Sequence, residues 1–255
     1  MKIIGVIPAH FASTRFPGKV LALIDGKPMI EHVWQRAKRA RELSEVIIAC
    51  DDTRVCEAAE AFGARTVMTD PALSSGSDRA AQAIKDLGCD SVVNIQGDEP
   101  LIEPTLIDQL VRALVKYPGV SVATLIQEIK YTQQINDPNV VKVVINQKGE
   151  ALYFSRSPIP YKRDQGKDTA LKFFRHLGMY AYRKKFLLEF CTWPKSMLES
   201  AEQLEQLRIL EAGYPIQTVL TEVDTVAVDV PEDIGKVEYL IKKAADDKSH
   251  FTRKN

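Results

Sequence analysis

The sequence predicts an α/β fold: a doubly wound, mostly parallel sheet with a smaller mixed-sheet extension. Three observations lead there. In the first half, short apolar runs alternate with segments whose apolar residues recur at helical spacing. Those runs are nearly continuous, as in strands buried on both faces, whereas runs in the second half alternate more. The 255 residues, 45% apolar, bury an ample core without disulfide staples. Right-handed βαβ crossovers then give a Rossmann-like sheet.

In chain order, Lys2–Ile7, Glu45–Ala49, Arg65–Met68, Ser91–Ile95 and Val120–Leu125 read as strands. Between them, three helical stripes appear: Ile30, Val33, Trp34 and Ala37; Val55, Ala58, Ala59 and Phe62; Leu106, Ile107, Leu110, Val111 and Leu114. Val140–Ile145, Ala151–Ser155 and His176–Tyr182 read as strands of the extension. A helix from about Ala201 to Glu211 is stopped by Gly213 and Pro215, and Ile216–Leu220 is one more strand. A last helix starts at Pro231 as its first residue and turns Ile234, Val237, Leu240 and Ile241 inward. The tail from about Asp246 to Asn255 is polar and reads as frayed.

Charge and composition exclude several classes. Thirty-four basic residues balance thirty-four acidic ones, which argues against a dedicated nucleic-acid binder but not against a small anionic ligand. No apolar run approaches the roughly 20 residues of a membrane span. The stretch between Lys2 and Pro8 is too short for a secretory signal. Cys50, Cys56, Cys89 and Cys191 form no CxxC pair and read as reduced thiols of a cytoplasmic protein.

Chemistry concentrates in a few segments. Pro8–Lys19, PAHFASTRFPGK, follows the first strand, where an open α/β sheet places its ligand crevice. Small residues (Ala9, Ala12, Ser13, Gly18) let backbone amides approach an anion, and Arg15 and Lys19 supply charge for a polyphosphate. The segment fits neither the Walker loop nor the dinucleotide fingerprint, and its bland reading is a charged surface loop. In SSGSDR, Ser75, Gly76 and Arg79 read either as a helix cap or as contacts to a base or ribose. NIQGDEP puts Gln96, Asp98 and Glu99 after the fourth strand, where a carboxylate suits a hard divalent cation or is a plain acidic turn. Asp229 in VDVPED, outside the last helix, is a second candidate carboxylate. Arg156 in YFSRSPIPY could grip a carboxylate bidentately. His176 and Tyr180 in HLGMYAY, with Glu202, Glu205 and Gln206 on one helical face, could bond hydroxyls or form a solvated surface. No HExxH, Cys/His cluster or GxSxG appears, so the chemistry is electrostatic rather than covalent.

Taken in order, PAHFASTRFPGK, LIDGKPMI, SSGSDR, NIQGDEPLI, YFSRSPIPY, HLGMYAYR, EQLEQLR and VDVPEDI resemble the 3-deoxy-manno-octulosonate (Kdo) cytidylyltransferases over about residues 2–245. The resemblance implies a nucleotide-diphospho-sugar transferase-like fold and one domain over 1–245. About 1–130 and 210–245 would be the nucleotide-binding core, and about 131–209 the sugar-binding and dimerisation part. It implies a cytoplasmic homodimer that joins CTP and Kdo with Mg²⁺, giving CMP-Kdo for lipopolysaccharide and releasing pyrophosphate. By the resemblance Pro8, Ala9, His10, Ser13, Arg15, Lys19, Ser75, Gly76 and Arg79 bind nucleotide, and Asp98 and Asp229 bind metal. Lys19, Arg15, Asp98 and Asp229 carry the reaction. Gln96, Arg156, His176, Tyr180, Glu205 and Gln206 face the sugar acid.

One position departs from that family: His10 stands where an arginine is usual. Histidine is shorter and, at a reference pKa of about 6.5, largely neutral at pH 7. The expectation is weaker CTP binding, or a phosphate contact that strengthens at lower pH. Rival readings are a cytidylyltransferase for 8-amino-Kdo or a sialic acid, a general sugar-1-phosphate nucleotidylyltransferase, and a non-catalytic nucleotide-binding protein with His10 as its lesion.

Overall fold

Along the strands, successive side chains enter two different cores, which explains why the runs are apolar without alternation. The computed structural model describes residues 1–13, 16–163 and 171–252, with side chains to residue 244. The first half contains β1 (Ile3–Ala9), the hairpin β2 (Leu23–Ile24) and β3 (Lys27–Pro28), α1 (Met29–Ala37), β4 (Glu45–Cys50), α2 (Thr53–Ala61), β5 (Arg65–Met68), α3 (Gly76–Ile84), β6 (Ser91–Asn94), α4 (Pro104–Lys116) and β7 (Val122–Glu128). Then come α5 (Thr132–Asn136), β8 (Lys142–Ile145), β9 (Ala151–Ser155), β10 (Phe174–Arg183), α6 (Lys184–Phe190), α7 (Met197–Glu202), α8 (Gln206–Glu211), β11 (Ile216–Leu220) and α9 (Asp233–Thr252).

The main sheet runs β11-β7-β10-β6-β1-β4-β5, with β8 on β10 and β9 on β8. Strands β6, β1, β4 and β5 are parallel, as are β11 and β7; β10 runs antiparallel between the two groups. The mixed extension is therefore β8, β9 and β10, as the alternating runs suggest. From β1, Ile3 and Ile7 join the core under α1 and α4, while Ile4 and Val6 join the core under α3 and α6. From β4, Val46 and Ile48 go one way and Ile47 and Ala49 the other. A third, small cluster of Ile24, Met29, Val228 and Val237 seats α9 against β2. All four cysteines are free. Among the described residues, no helix is long and apolar enough to cross a membrane.

Three expectations about the helices change. The helix over Ala201–Glu211 is two helices: Ser196 and Glu199 form a capping box at the start of α7, and Gln203 ends it in the left-handed region at φ 53. Glu202 therefore does not share a continuous helical face with Glu205 and Gln206. Its carboxylate accepts from the Ser155 hydroxyl (2.6 Å) and the Arg156 amide (2.9 Å), a tertiary tie that local periodicity does not encode. The last helix begins at Asp233, not Pro231, because the Asp233 carboxylate accepts the amides of Asp229 and Val230 and holds 229–232 as a turn. That helix continues through Thr252, across much of the segment that reads as frayed.

The α7–α8 turn rests on a buried ion pair. Arg208 Nε and Nη2 each donate to Glu199 at 2.7 Å, with the two side chains 9% and 8% exposed, and the guanidinium packs on the Phe190 ring. Burial raises the Glu199 pKa, but the Arg208 bonds and the Ser196 amide outweigh it and hold the carboxyl below its ordinary range. Its contribution is thus present above the unfolded carboxylate pKa and is lost as pH falls through the depressed native value. Glu199→Gln should cost about 3–5 kcal/mol, since it leaves a buried guanidinium without its nearest charge partner, with Glu205 at 3.8 Å. Urea denaturation at pH 7 checks the cost, and the acid limb of stability should be shallower in the variant.

Candidate active site

Parallel register brings the carboxyl ends of three strands to one edge. Ala9 pairs with Cys50, Val6 with Asn94, and the chain leaves each strand into a loop. Gly97 makes the junction tight: a Cβ there would stand 2.7 Å from the Pro8 carbonyl oxygen. Between the loops lies a cleft of about 400 Å³ whose walls include Pro8, His10, Ser13, Lys19, Gly76, Gln96 and Asp98. These are seven of the residues singled out from sequence. Ala9 is not among the residues that line the cleft; its side chain is fully buried in the core. Arg15 lies outside the described residues.

The first loop folds back around Phe11. The Phe11 carbonyl accepts from the Ser13 and Gly18 amides at 2.9 and 2.8 Å, and the Arg54 guanidinium lies 3.7 Å over its ring. Gly18 has φ 70 and sits against that ring, where a Cβ would approach to 3.3 Å. The turn delivers Lys19, whose Nζ reaches Asp98 Oδ2 at 2.7 Å. Facing it, Ser75 caps α3 by accepting from the Asp78 amide (3.1 Å), and Gly76 lies against Pro8 and Asn94. The capping reading of this segment holds: the Ser75 hydroxyl caps a helix whose amino end, at Gly76, borders the cleft. Arg79 points inside. Its guanidinium donates to Thr69 Oγ1 at 2.7 Å and pairs with Asp51 at 3.2 Å, with both ion-pair side chains 3% exposed.

The Asp98 carbonyl accepts from the Val228 amide at 2.9 Å, so the backbone just before Asp229 runs beside the loop that bears Asp98. Among the described residues there is no cluster of three or more His, Cys, Asp or Glu that would hold a metal alone. One or two carboxylates completed by phosphate oxygens and water is the donor set Mg²⁺ favours, so Asp98 and Asp229 fit it. Glu99 turns away from solvent: burial, with Asp98 beside it, pushes its pKa up to about 7, and its Oε2 has no hydrogen-bond partner.

The sugar-facing candidates form a seam next to the cleft. Gln96 Nε2 donates to the Gly178 carbonyl (2.6 Å), at the bulge of β10 between His176 and Tyr180. The His176 and Tyr180 rings are 5.3 Å apart, and Tyr180 is the register partner of Asn94. Burial lowers His176 to a pKa of about 3, so it meets a ligand as neutral imidazole, with Nε2 2.9 Å from Thr124 Oγ1. Glu205 accepts from Ser77 Oγ at 2.6 Å, and burial raises its pKa. Asn94 Oδ1, Tyr180 Oη, Glu205 Oε1 and Gln206 Nε2 are buried without a well-formed hydrogen bond. Arg156 sits at the far end, where its guanidinium donates to the carbonyls of Glu202 (2.7 Å), Pro138 (3.0 Å) and Gln203 (3.4 Å). Among the described residues no carboxylate bonds that guanidinium.

Sequence reasoning missed Asp51, Asn94 and Ser77. Asp51 reads as half of an Asp-Asp turn before α2, and Asn94 and Ser77 lie inside a strand and a helix. Only tertiary packing shows what each faces.

The chain matches the family model described as cytidylyltransferase over residues 4–223. It is 52% identical to the 3-deoxy-manno-octulosonate cytidylyltransferase of Solibacter usitatus, over 94% of this chain and 95% of that one. It is 47% identical to the protein of that name in Geobacter sulfurreducens, over 93% and 98%. The solved structure of CMP:2-keto-3-deoxy-manno-octonic acid synthetase complexed with CTP superposes with a TM-score of 0.91 at 42% identity, over 96% and 100%. A 4-diphosphocytidyl-2C-methyl-D-erythritol synthase from Anaerococcus prevotii, 14% identical with a TM-score of 0.63, shares the fold.

The Gly97 contact carries a direct test. Gly97→Ala must separate the ends of β1 and β6, at an overpacking cost of about 1–3 kcal/mol. Thermal melts should show the loss, and titration with CTP should show weakened binding, because the displaced Pro8 carbonyl begins the cleft wall.

Proposed function

The chain belongs to the 3-deoxy-manno-octulosonate cytidylyltransferase family, and from that premise we propose how its residues transfer CMP from CTP to the anomeric hydroxyl of Kdo. The observation that carries the reading is the set of buried polar atoms on Asn94, Tyr180, Glu205 and Gln206 that lack a hydrogen bond among the described residues, beside a cleft of about 400 Å³. Orphaned polar groups are costly, and a polyhydroxylated acid supplies the donors and acceptors they lack.

The triphosphate lies along the first loop. Lys19 leaves Asp98 to neutralise phosphate oxygens, and Arg15 is assigned the same work by the family resemblance. Ser75 and Gly76, at the start of α3, border the nucleoside. Arg79 acts from behind by holding Asp51. Gln96, His176, Tyr180, Glu205 and Gln206 bond the sugar, and the Arg156 guanidinium, held only by carbonyls, meets its carboxylate. The 2-hydroxyl attacks the α-phosphorus in line, the bond to the β-phosphate oxygen breaks, and pyrophosphate leaves. Asp98 and Asp229 would hold Mg²⁺, which when bound activates the hydroxyl and stabilises phosphate charge. The chain's own part is orientation and charge: two substrates in adjoining pockets, with cations aimed at the phosphates. We also assign the protein to the cytoplasm as a homodimer that supplies lipopolysaccharide assembly. The exposed Leu152, Tyr161 and Met197 are apolar surface that a second subunit would cover.

Pyrophosphate release from CTP and Mg²⁺ should depend on an added sugar acid, with Kdo preferred in a panel containing 8-amino-Kdo and N-acetylneuraminate. Preference for another acid would reassign the seam, and release without any acid would remove it from the reaction. Asp98→Asn should lower turnover by orders of magnitude with an unchanged circular dichroism spectrum. Near-normal turnover would refute the assignment of Asp98 to the metal.

A further inference from the structure

Asp51 sits below the cleft and is 3% exposed at its side chain. Its Oδ1 accepts the Phe11 amide at 3.0 Å, and its Oδ2 faces the Arg79 guanidinium at 3.2 Å and contacts His10 Nδ1. Both oxygens are thus acceptors, and the proton of the histidine contact belongs to Nδ1. That settles how the ring is presented. Nδ1 faces Asp51, and Nε2, on the other side of a side chain that is 47% exposed and belongs to a residue lining the cleft, has no partner among the described residues.

Phosphate oxygens only accept hydrogen bonds. A neutral ring held this way offers them the lone pair of Nε2, while a protonated ring offers a donor and a charge. We propose that Asp51 positions His10 as a proton-carrying phosphate contact, so that CTP binding draws one proton onto Nε2. The inference rests on the CTP reading above and deepens it. An arginine here would arrive already charged and take up no proton. The charged groups around the ring come from each neighbouring element. They are Asp51 after β4, Arg79 of α3 through Asp51, the Asp52–Arg54 pair at α2, Lys19 on the first loop and Asp98 after β6. Among the described residues the single buried acid in contact with the ring is Asp51.

Calorimetric titration of CTP, in two buffers of different ionisation enthalpy, counts the protons taken up. In the unaltered protein, uptake should approach one above neutral pH, and affinity should fall about tenfold per pH unit where that single proton is fully coupled. His10→Arg should bind CTP without proton uptake and with a flat pH profile. Asp51→Asn should move the profile of KM for CTP to lower pH, because the imidazolium loses its support; a merely structural loss would raise KM equally at every pH. If Asp51→Asn does not fold, His10→Arg and His10→Gln decide. Equal proton uptake in the unaltered protein and His10→Arg, or unchanged CTP affinity in His10→Gln, overturns the inference. Absence of CTP binding by the unaltered protein at every pH fails the nucleotide reading itself, and so is distinguishable from failure of the histidine's role.

Discussion

The convergence of β1 and β6 at Gly97 is the constraint on which the cleft depends. A glycine without a side chain lets one loop's backbone lie on the carbonyl of Pro8, a 2.7 Å approach for any added Cβ. From that junction the two loops diverge, one toward Lys19 and the other toward Asp98, and the Lys19–Asp98 pair closes the angle between them at 2.7 Å. The Val228 amide then bonds the Asp98 carbonyl, so α9 and the third hydrophobic cluster pack from below. Parallel pairing aligns the strand ends, and the missing side chain makes the alignment tight enough for a small ligand.

The same molecule satisfies some buried polar groups thoroughly and leaves others open. Lys142, fully buried, donates to the carbonyls of Asp137, Val140 and Arg156 at 2.8, 2.5 and 2.6 Å. Arg208 spends its donors on Glu199 and on the Trp193 carbonyl. By contrast Tyr180, Glu205, Gln206 and Asn94 each retain a buried atom without a hydrogen bond among the described residues. Lys142 and Arg208 are scaffold: the first pins the Arg156 backbone and the second fixes the α7–α8 turn.

How much was legible depended on the range of the interaction. Arg65–Met68, Ala151–Ser155 and Ile216–Leu220 run as their apolar runs predict, because strand burial is a local pattern. The loop bearing His10, Ser13 and Lys19 was legible because composition alone, small residues beside cations after a strand, points to an anion. The break at Gln203 was not, because it depends on Glu202 bonding Ser155 and Arg156 some forty-six residues away. Asp51 was not, because its partners His10, Phe11 and Arg79 come from two other elements and share no spacing. The seam of His176, Tyr180, Glu205 and Gln206 stood between these cases: its residue types were visible, but its enclosure depends on α8 packing against β9.

A histidine at position 10 in place of the arginine that the family resemblance leads one to expect does not simply remove a cation. The longer side chain would carry its charge on its own; the shorter one needs a carboxylate behind it to keep its ring aligned, and Asp51 is already there, bound to Phe11 and Arg79. Asp51 therefore joins three tasks in one buried group: it pins the loop, holds the amino-terminal turn of α3 through Arg79, and orients the imidazole. Coupling of this kind has a physical consequence. The imidazole, the loop anchor and α3 share the same two oxygens, so a change in any one contact bears on the other two.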